Sequence, residues 1–212
     1  MPRRRSPVDT TGTFFLLDQL QPPLDWAAFF GNDGPVEVEV GPGKGVYLAF
    51  AGAEQPGSNF VGVELARKYA GLAAQRVVKA GLGNVRVVAG DAQKFLDEFV
   101  PERSIAVLHV YFPDPWWKKR HRKRRVVNER FVDRASKVVK VGGELRLMTD
   151  VEEYFRESVD LITAHPGFEP IDESRVEAGD AWQIQTNFAN KFRVEGRPFF
   201  GERYRVLAGV EA

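Results

Sequence analysis

Two short segments hold residues whose types and spacing could do chemistry. The first is Glu39-Val-Gly41-Pro-Gly43-Lys-Gly45. Three alternate glycines let a backbone turn tightly and approach a ligand closely. The spacing G-x-G-x-G differs from the G-x-G-x-x-G of dinucleotide sites, whose extra residue opens a helix N-terminus toward a pyrophosphate. Acidic residues recur further on: Glu64, 19 residues after Gly45, and Asp91 in Gly90-Asp91-Ala92. A carboxylate about 20 residues past a glycine loop can accept both hydroxyls of a ribose. One at the next strand end could take an adenine amino group. A pocket ringed by Glu39, Glu64 and Asp91 suits a cationic nucleoside better than a phosphate-rich one.

The second segment is F-P-D-P-W-W-K-K-R-H-R-K-R-R, residues 112–125. Pro113 and Pro115 lock the backbone on either side of Asp114. Trp116 and Trp117 follow, and seven of the eight residues from Lys118 to Arg125 are Lys or Arg. Aromatics beside dense positive charge suit an exposed base and its phosphates. The net charge is only +1, so this patch, and not the total, would steer a polyanion. The chain has no cysteine, which excludes disulfides, thiolate metal sites and a thiol nucleophile. Its histidines, His109, His121 and His165, match no zinc spacing. No metal is expected. His109 lies inside an apolar run and reads as a satisfied core residue.

These residues need a scaffold that brings them together. From Val36 onward, short β-branched runs alternate with longer stretches of helical spacing. Strands are expected at 36–40, 59–64, 84–90, 105–112 and 144–150. Helices are expected at 65–80, 92–99, 126–140 and 151–164. The tail 182–208 reads as one or two closing strands. This alternation predicts an α/β fold with a mostly parallel sheet and helices on both faces. At 212 residues and 43% hydrophobic, one domain accounts for the chain. It is read as an N-terminal extension over 1–35 with a basic start (Arg3, Arg4, Arg5) and a single domain over 36–212. No apolar run reaches 18 residues, and MPRRRSPVDT is not followed by an apolar stretch, so neither a membrane span nor a signal peptide is expected. A cytoplasmic protein is the simplest expectation.

The ligand that best fits the carboxylate ring is S-adenosyl-L-methionine, which carries a sulfonium, an amino group and a ribose but no phosphate. The glycine-loop half therefore reads as a Rossmann-like Class I methyltransferase fold with a seven-stranded sheet. The 112–125 segment closely resembles the signature of bacterial tRNA (guanine-N7)-methyltransferases. The resemblance runs over most of the chain from residue 36. It takes in EVGPGKG, VGVE at 61–64, GDA at 90–92, GGELRLMTDVEEY at 142–154 and, more weakly, the tail from Thr186. It implies transfer of a methyl group to N7 of a guanine in the variable loop of tRNA, forming 7-methylguanosine.

By the same resemblance, Glu39, Gly41, Gly43, Gly45, Glu64, Asp91 and Ala92 bind the cofactor. Asp114 is the catalytic aspartate and also lies against the cofactor. Lys118 and Asp150 contact substrate, as does Thr186. Arg120, His121, Arg122, Lys123, Arg124 and Arg125 contact RNA. The chain departs from the family at Ala189, where members carry a glutamate three residues after the threonine that Thr186 matches. That difference leaves a second reading open, a catalytically weak or inactive RNA-binding homologue. A nicotinamide-dependent oxidoreductase on a similar fold is a third reading, against which the glycine spacing argues.

Overall fold

The computed structural model describes residues 8–171, 176–177 and 198–208. Its strands are β1 (Phe14–Leu16), β2 (Val36–Val40), β3 (Asn59–Glu64), β4 (Val85–Ala89), β5 (Ile105–Tyr111), β6 (Val139–Thr149), β7 (Phe168–Pro170), β8 (Val176–Glu177) and β9 (Phe200–Val206). Its α-helices are α1 (Trp26–Phe30), α2 (Val46–Glu54), α3 (Arg67–Lys79), α4 (Ala92–Lys94), α5 (Glu129–Val138) and α6 (Glu152–Ala164). A π-turn over Phe95–Phe99 extends α4, and a 3₁₀ segment covers Lys119–Arg124.

The strands form one sheet in the order β1-β4-β3-β2-β5-β6-β9-β7, with β8 also on β9. The pairings from β1 to β6 are parallel, and β9 runs antiparallel to β6, β7 and β8. Nine strands are present among the described residues, against the seven expected. Three short edge strands were not expected, β1 beside β4 and β7 and β8 on β9, while the tail, read as one or two strands, contributes β9 among the described residues. Three or fewer residues show too little alternation to stand out in a sequence. Because β1 comes from residues 14–16, part of the stretch read as an extension is built into the sheet.

Alternation along the strands sorts the core into two layers. Val36, Val38 and Val40 join Val61, Val63, Leu108, Val110, Leu145 and Leu147 on one face, beneath Phe131 and Val132 of α5 and Tyr154 of α6. On the other face Phe60, Val85, Val87 and Tyr111 meet Tyr47 and Leu48 of α2 and Ala70, Ala73, Ala74 and Val77 of α3. Helices thus cover both faces. The alanines of α3 let that helix approach closely. Asn128 caps α5 by accepting the Phe131 N–H at 3.1 Å, which satisfies one of the donors a helix start leaves open. β6 begins at Val139, five residues before the strand expected from Glu144. The Gly142-Gly143 pair, which interrupts the sequence pattern, sits within the strand, where the pairing to β5 shifts register between Ile105 and Val107.

The chain runs outward from β2 through β3 to β4, then returns to the opposite side of β2 as β5. The topological switch point therefore lies between β2 and β5, where open α/β sheets bind ligands beyond their carboxyl ends.

Candidate active site

Parallel register decides what shares the sheet edge. Val40 pairs with Val110, Glu64 with Ala89, and Tyr111 with Met148. The glycine loop, Glu64, Asp91, Asp114 and Asp150 therefore leave five adjacent strands, β4-β3-β2-β5-β6, at the same edge. Five acidic residues, counting Glu39 one position inside β2, stand at this edge, one from each of five separate stretches of the sequence.

The glycine loop is held in a conformation that demands glycine. Gly41, Gly43 and Gly45 have φ of 69°, 55° and 67°, the left-handed region that costs other residues about 1–2 kcal/mol. A Cβ on Gly41 or Gly43 would meet nothing within 4 Å, so both face open space that a ligand can enter. A Cβ on Gly45 would lie 2.7 Å from Ala73 Cβ, so the third glycine serves the packing of α2 on α3. Glu64 braces the loop: Oε2 accepts the Gly43 N–H at 3.0 Å and Oε1 the Ala66 N–H at 2.9 Å. Asp91 Oδ1 accepts the Lys94 N–H at 2.9 Å and starts α4, while its side chain stays exposed. Ala92 is half-buried against the core.

Glu39 is the most unusual group. It is 4% exposed, and its Oε2 is buried without a partner among the described residues. Burial, reinforced by the nearby Glu64 charge, pushes its carboxyl up to about 8. A buried acceptor without a donor is costly, and a cation or donor entering the cleft would relieve that cost. The residues at this edge fit S-adenosyl-L-methionine: an open glycine turn, a carboxylate 19 residues beyond it and a buried acidic group without a donor.

Beside Glu39, on the same face of the sheet, His109 is fully buried. Its Nε2 lies 2.7 Å from Glu37 Oε2 and its Nδ1 2.8 Å from Tyr111 Oη. Burial outweighs Glu37 and pushes the imidazole below its usual range. The neutral ring then donates to Glu37 and accepts from Tyr111, as expected for a satisfied core histidine. The role of Glu37 was not legible in VEVEV, because nothing local distinguishes a buried acid from a solvated one.

Asp114 is exposed at the mouth of the sheet, between two residues with left-handed backbone, Phe112 (φ 49°) and Trp116 (φ 47°). The surroundings hold this strained turn. The Phe112 N–H donates to Met148 O at 2.7 Å, and the Phe112 ring packs edge-on to Phe199 at 6.0 Å. Asp150 is half-buried one residue beyond β6.

The basic run divides in two. Lys118, Arg120, Lys123 and Arg124 are exposed; Arg124 lies over the Trp116 ring at 5.0 Å, and His121 meets the same ring edge-on at 5.9 Å. Arg122 and Arg125 turn inward to α6. Arg122 reaches Glu153 at 2.5 Å and Glu157 at 3.1 Å. Arg125 is 6% exposed and pairs with Glu157. The partners Tyr154, Glu153 and Glu157 were missed in the sequence, although acids at i and i+4 downstream of a basic run are a signal of charge complementarity. Thr186 and Ala189 lie outside the described residues. Among the described residues no group of three or more His, Asp or Glu could hold a metal ion, and no helix is long and apolar enough to cross a membrane.

Comparison with known proteins gives the family. Residues 33–201 match the model of a putative methyltransferase family. A tRNA (guanine-N(7)-)-methyltransferase of Geobacter metallireducens is 33% identical over 208 residues, covering 95% of this chain and 96% of that protein. One of Rhodopirellula baltica is 39% identical over 195 residues, covering 89% of this chain and 72% of that protein. The chain belongs to the tRNA (guanine-N7)-methyltransferase family. The fold agrees as well. A SAM-dependent methyltransferase from Aquifex aeolicus superposes with a TM-score of 0.58 at 18% identity, covering 82% of this chain and 83% of that one. The sheet is that of the Class I methyltransferases. Family membership gives the chain its cofactor, S-adenosyl-L-methionine, and does not favour the nicotinamide reading.

Proposed function

We propose that this chain methylates N7 of a guanine in tRNA, forming 7-methylguanosine, with the residues of the β4-to-β6 edge in the roles that follow. The observation that carries the reading is the gathering of five acids at one edge of five adjacent strands, with a basic run that begins at two tryptophans leaving the strand next to the glycine loop. S-adenosyl-L-methionine, when bound, supplies an activated methyl group and a positive charge. Gly41 and Gly43 let the backbone close on it, Glu64 accepts from the ribose, Asp91 and Ala92 flank the base, and Glu39 balances the cation.

Guanine N7 has a lone pair and no proton, so the chain needs no general base to start the reaction. Its task is alignment of acceptor with donor, which can supply much of the barrier reduction. As the bond forms, positive charge appears on the purine ring. Asp114, fixed by two prolines at the border of the cleft, stabilises that charge where it develops. Asp150, at the neighbouring strand end, accepts from N1–H and the exocyclic amine, which distinguish guanine from adenine. Lys118, Arg120, His121, Lys123 and Arg124 hold phosphates, and Trp116 or Trp117 offers a stacking face. Thr186 completes the substrate side by its family match. The variable loop, where bases can be splayed from the helix, is the site within tRNA, and the compartment is the cytoplasm.

The test is nucleoside mass spectrometry of unmodified tRNA incubated with protein and cofactor. The expected product is 7-methylguanosine at one position. Bound tRNA with no methylated nucleoside would reduce the chain to an RNA-binding homologue.

A further inference from the structure

Arg125 ends the run of cations, yet the fold withdraws it from solvent. Its Nε donates to the carbonyl of Pro115 at 2.8 Å, and its Nη1 pairs with Glu157. Its Cζ lies 4.7 Å above the Tyr154 ring, whose hydroxyl accepts the Val127 N–H at 3.2 Å. Pro115 is the residue immediately after Asp114. The guanidinium thus joins the carbonyl next to the reacting-site carboxylate to the middle of α6. The chain between Pro115 and Arg125 is closed into a loop by that contact. Arg122 doubles the anchor by reaching Glu153 and Glu157 on the same helix.

A planar fork of donors can hold a carbonyl and a carboxylate at a fixed angle. An ammonium on a flexible stem cannot. The turn it holds needs such a brace. Phe112 and Trp116 both occupy left-handed backbone, a conformation that persists only where the surroundings over-determine it. β6 and Phe199 hold the Phe112 end. At the Trp116 end, Arg125 ties the turn to the body of the domain.

Resting on the function proposed above, we propose that Arg125 is a positioning residue which, through Glu157, fixes the Asp114 turn against α6, and that it is not one of the phosphate contacts of the basic run. The exposed cations of the run bind RNA; Arg125 and Glu157 set where Asp114 stands when RNA has bound.

The two roles separate by experiment. Arg125→Lys keeps the charge and loses the fork, Glu157→Gln removes the helix anchor while leaving every cation in place, and Lys123→Ala serves as the phosphate-contact control. Single-turnover methyl transfer at saturating tRNA and cofactor is measured with tRNA affinity at several salt concentrations, all at a temperature where thermal melts show each variant folded. Arg125→Lys and Glu157→Gln are each expected to slow methyl transfer at least tenfold, with tRNA affinity within about twofold of the parent and an unchanged slope of log affinity against log salt. Lys123→Ala is expected to flatten that slope by about 0.7–0.9, the value for one phosphate contact.

Parental rates in Arg125→Lys and Glu157→Gln would overturn the proposal. So would an Arg125→Ala variant that flattens the salt slope as much as Lys123→Ala does. If the parent chain itself made no 7-methylguanosine, the proposed function would fall, and the salt-slope comparison would still judge whether Arg125 is a phosphate contact.

Discussion

At the residue scale, Glu39 joins structure to ligand most directly. Its carboxyl is pushed up to about 8 by burial and by Glu64. A group whose folded value is raised keeps its proton in the cofactor-free protein through neutral pH. A cationic ligand favours the carboxylate, so binding must release that proton below about pH 8. Cofactor affinity is therefore expected to rise with pH from 6 to 8 and then level off, measurable by calorimetry in buffers of different ionisation heat. Glu39→Gln should flatten the profile, and a variant keeping the parental profile would remove Glu39 from the linkage. The sign for stability is opposite: the proton is held more tightly in the folded state, so the cofactor-free chain loses stability as pH rises from about 4.5 toward 8. Asp114 differs: it is exposed, and in the proposed mechanism it acts through its fixed place, set by the two prolines and the proposed Arg125 brace.

At the element scale, the glycine loop and its helices carry a sharp expectation. Gly45→Ala places a Cβ 2.7 Å from Ala73 Cβ at a φ of 67°. A loss of about 1–3 kcal/mol of stability is expected in denaturant unfolding, and an unchanged midpoint would show that α2 and α3 adjust freely. Elements of this size were legible in the sequence. VEVEV and NFVGVE form β2 and β3 with the expected ends, because five- or six-residue runs built on valine and bounded by turns leave little alternative. α3, α5 and α6 fall inside their expected ranges to within a few residues. The π-turn after α4 was not legible, since Phe95, Leu96 and Phe99 fit an ordinary helical face. The three-residue edge strands were missed because they are specified by neighbours in space, not by their own pattern. For the site, Glu39, Glu64, Asp91 and Asp114 could be read from strand-end position. The turning of Arg122 and Arg125 toward α6 could not, because Arg122 to Arg125 look alike until a helix from 27 or more residues further on packs against them.

At the scale of the whole molecule, a net charge of +1 conceals a division of labour. The carboxyl edge of the sheet collects acids and the loop beyond β5 carries cations; in the proposed function the first serve a cationic cofactor and the second a polyanion. tRNA binding should therefore weaken steeply with salt although the chain is nearly neutral. Joint replacement of Lys123 and Arg124 by alanine should flatten that slope and leave cofactor affinity unchanged; an equal loss of cofactor binding would show that the two surfaces are not separate. The sheet makes the two surfaces meet: β2 brings the glycine loop and β5 brings Asp114 to the same switch point. The most direct test of that claim is the rate of methyl transfer within the assembled complex for Asp114→Asn, with cofactor and tRNA affinities measured alongside. The expected result is a rate about 10²–10³-fold lower, the scale for one preorganised electrostatic group, with both affinities within a few-fold of the parent. A variant that methylates N7 at the parental rate would contradict the placement of Asp114 at the reacting centre.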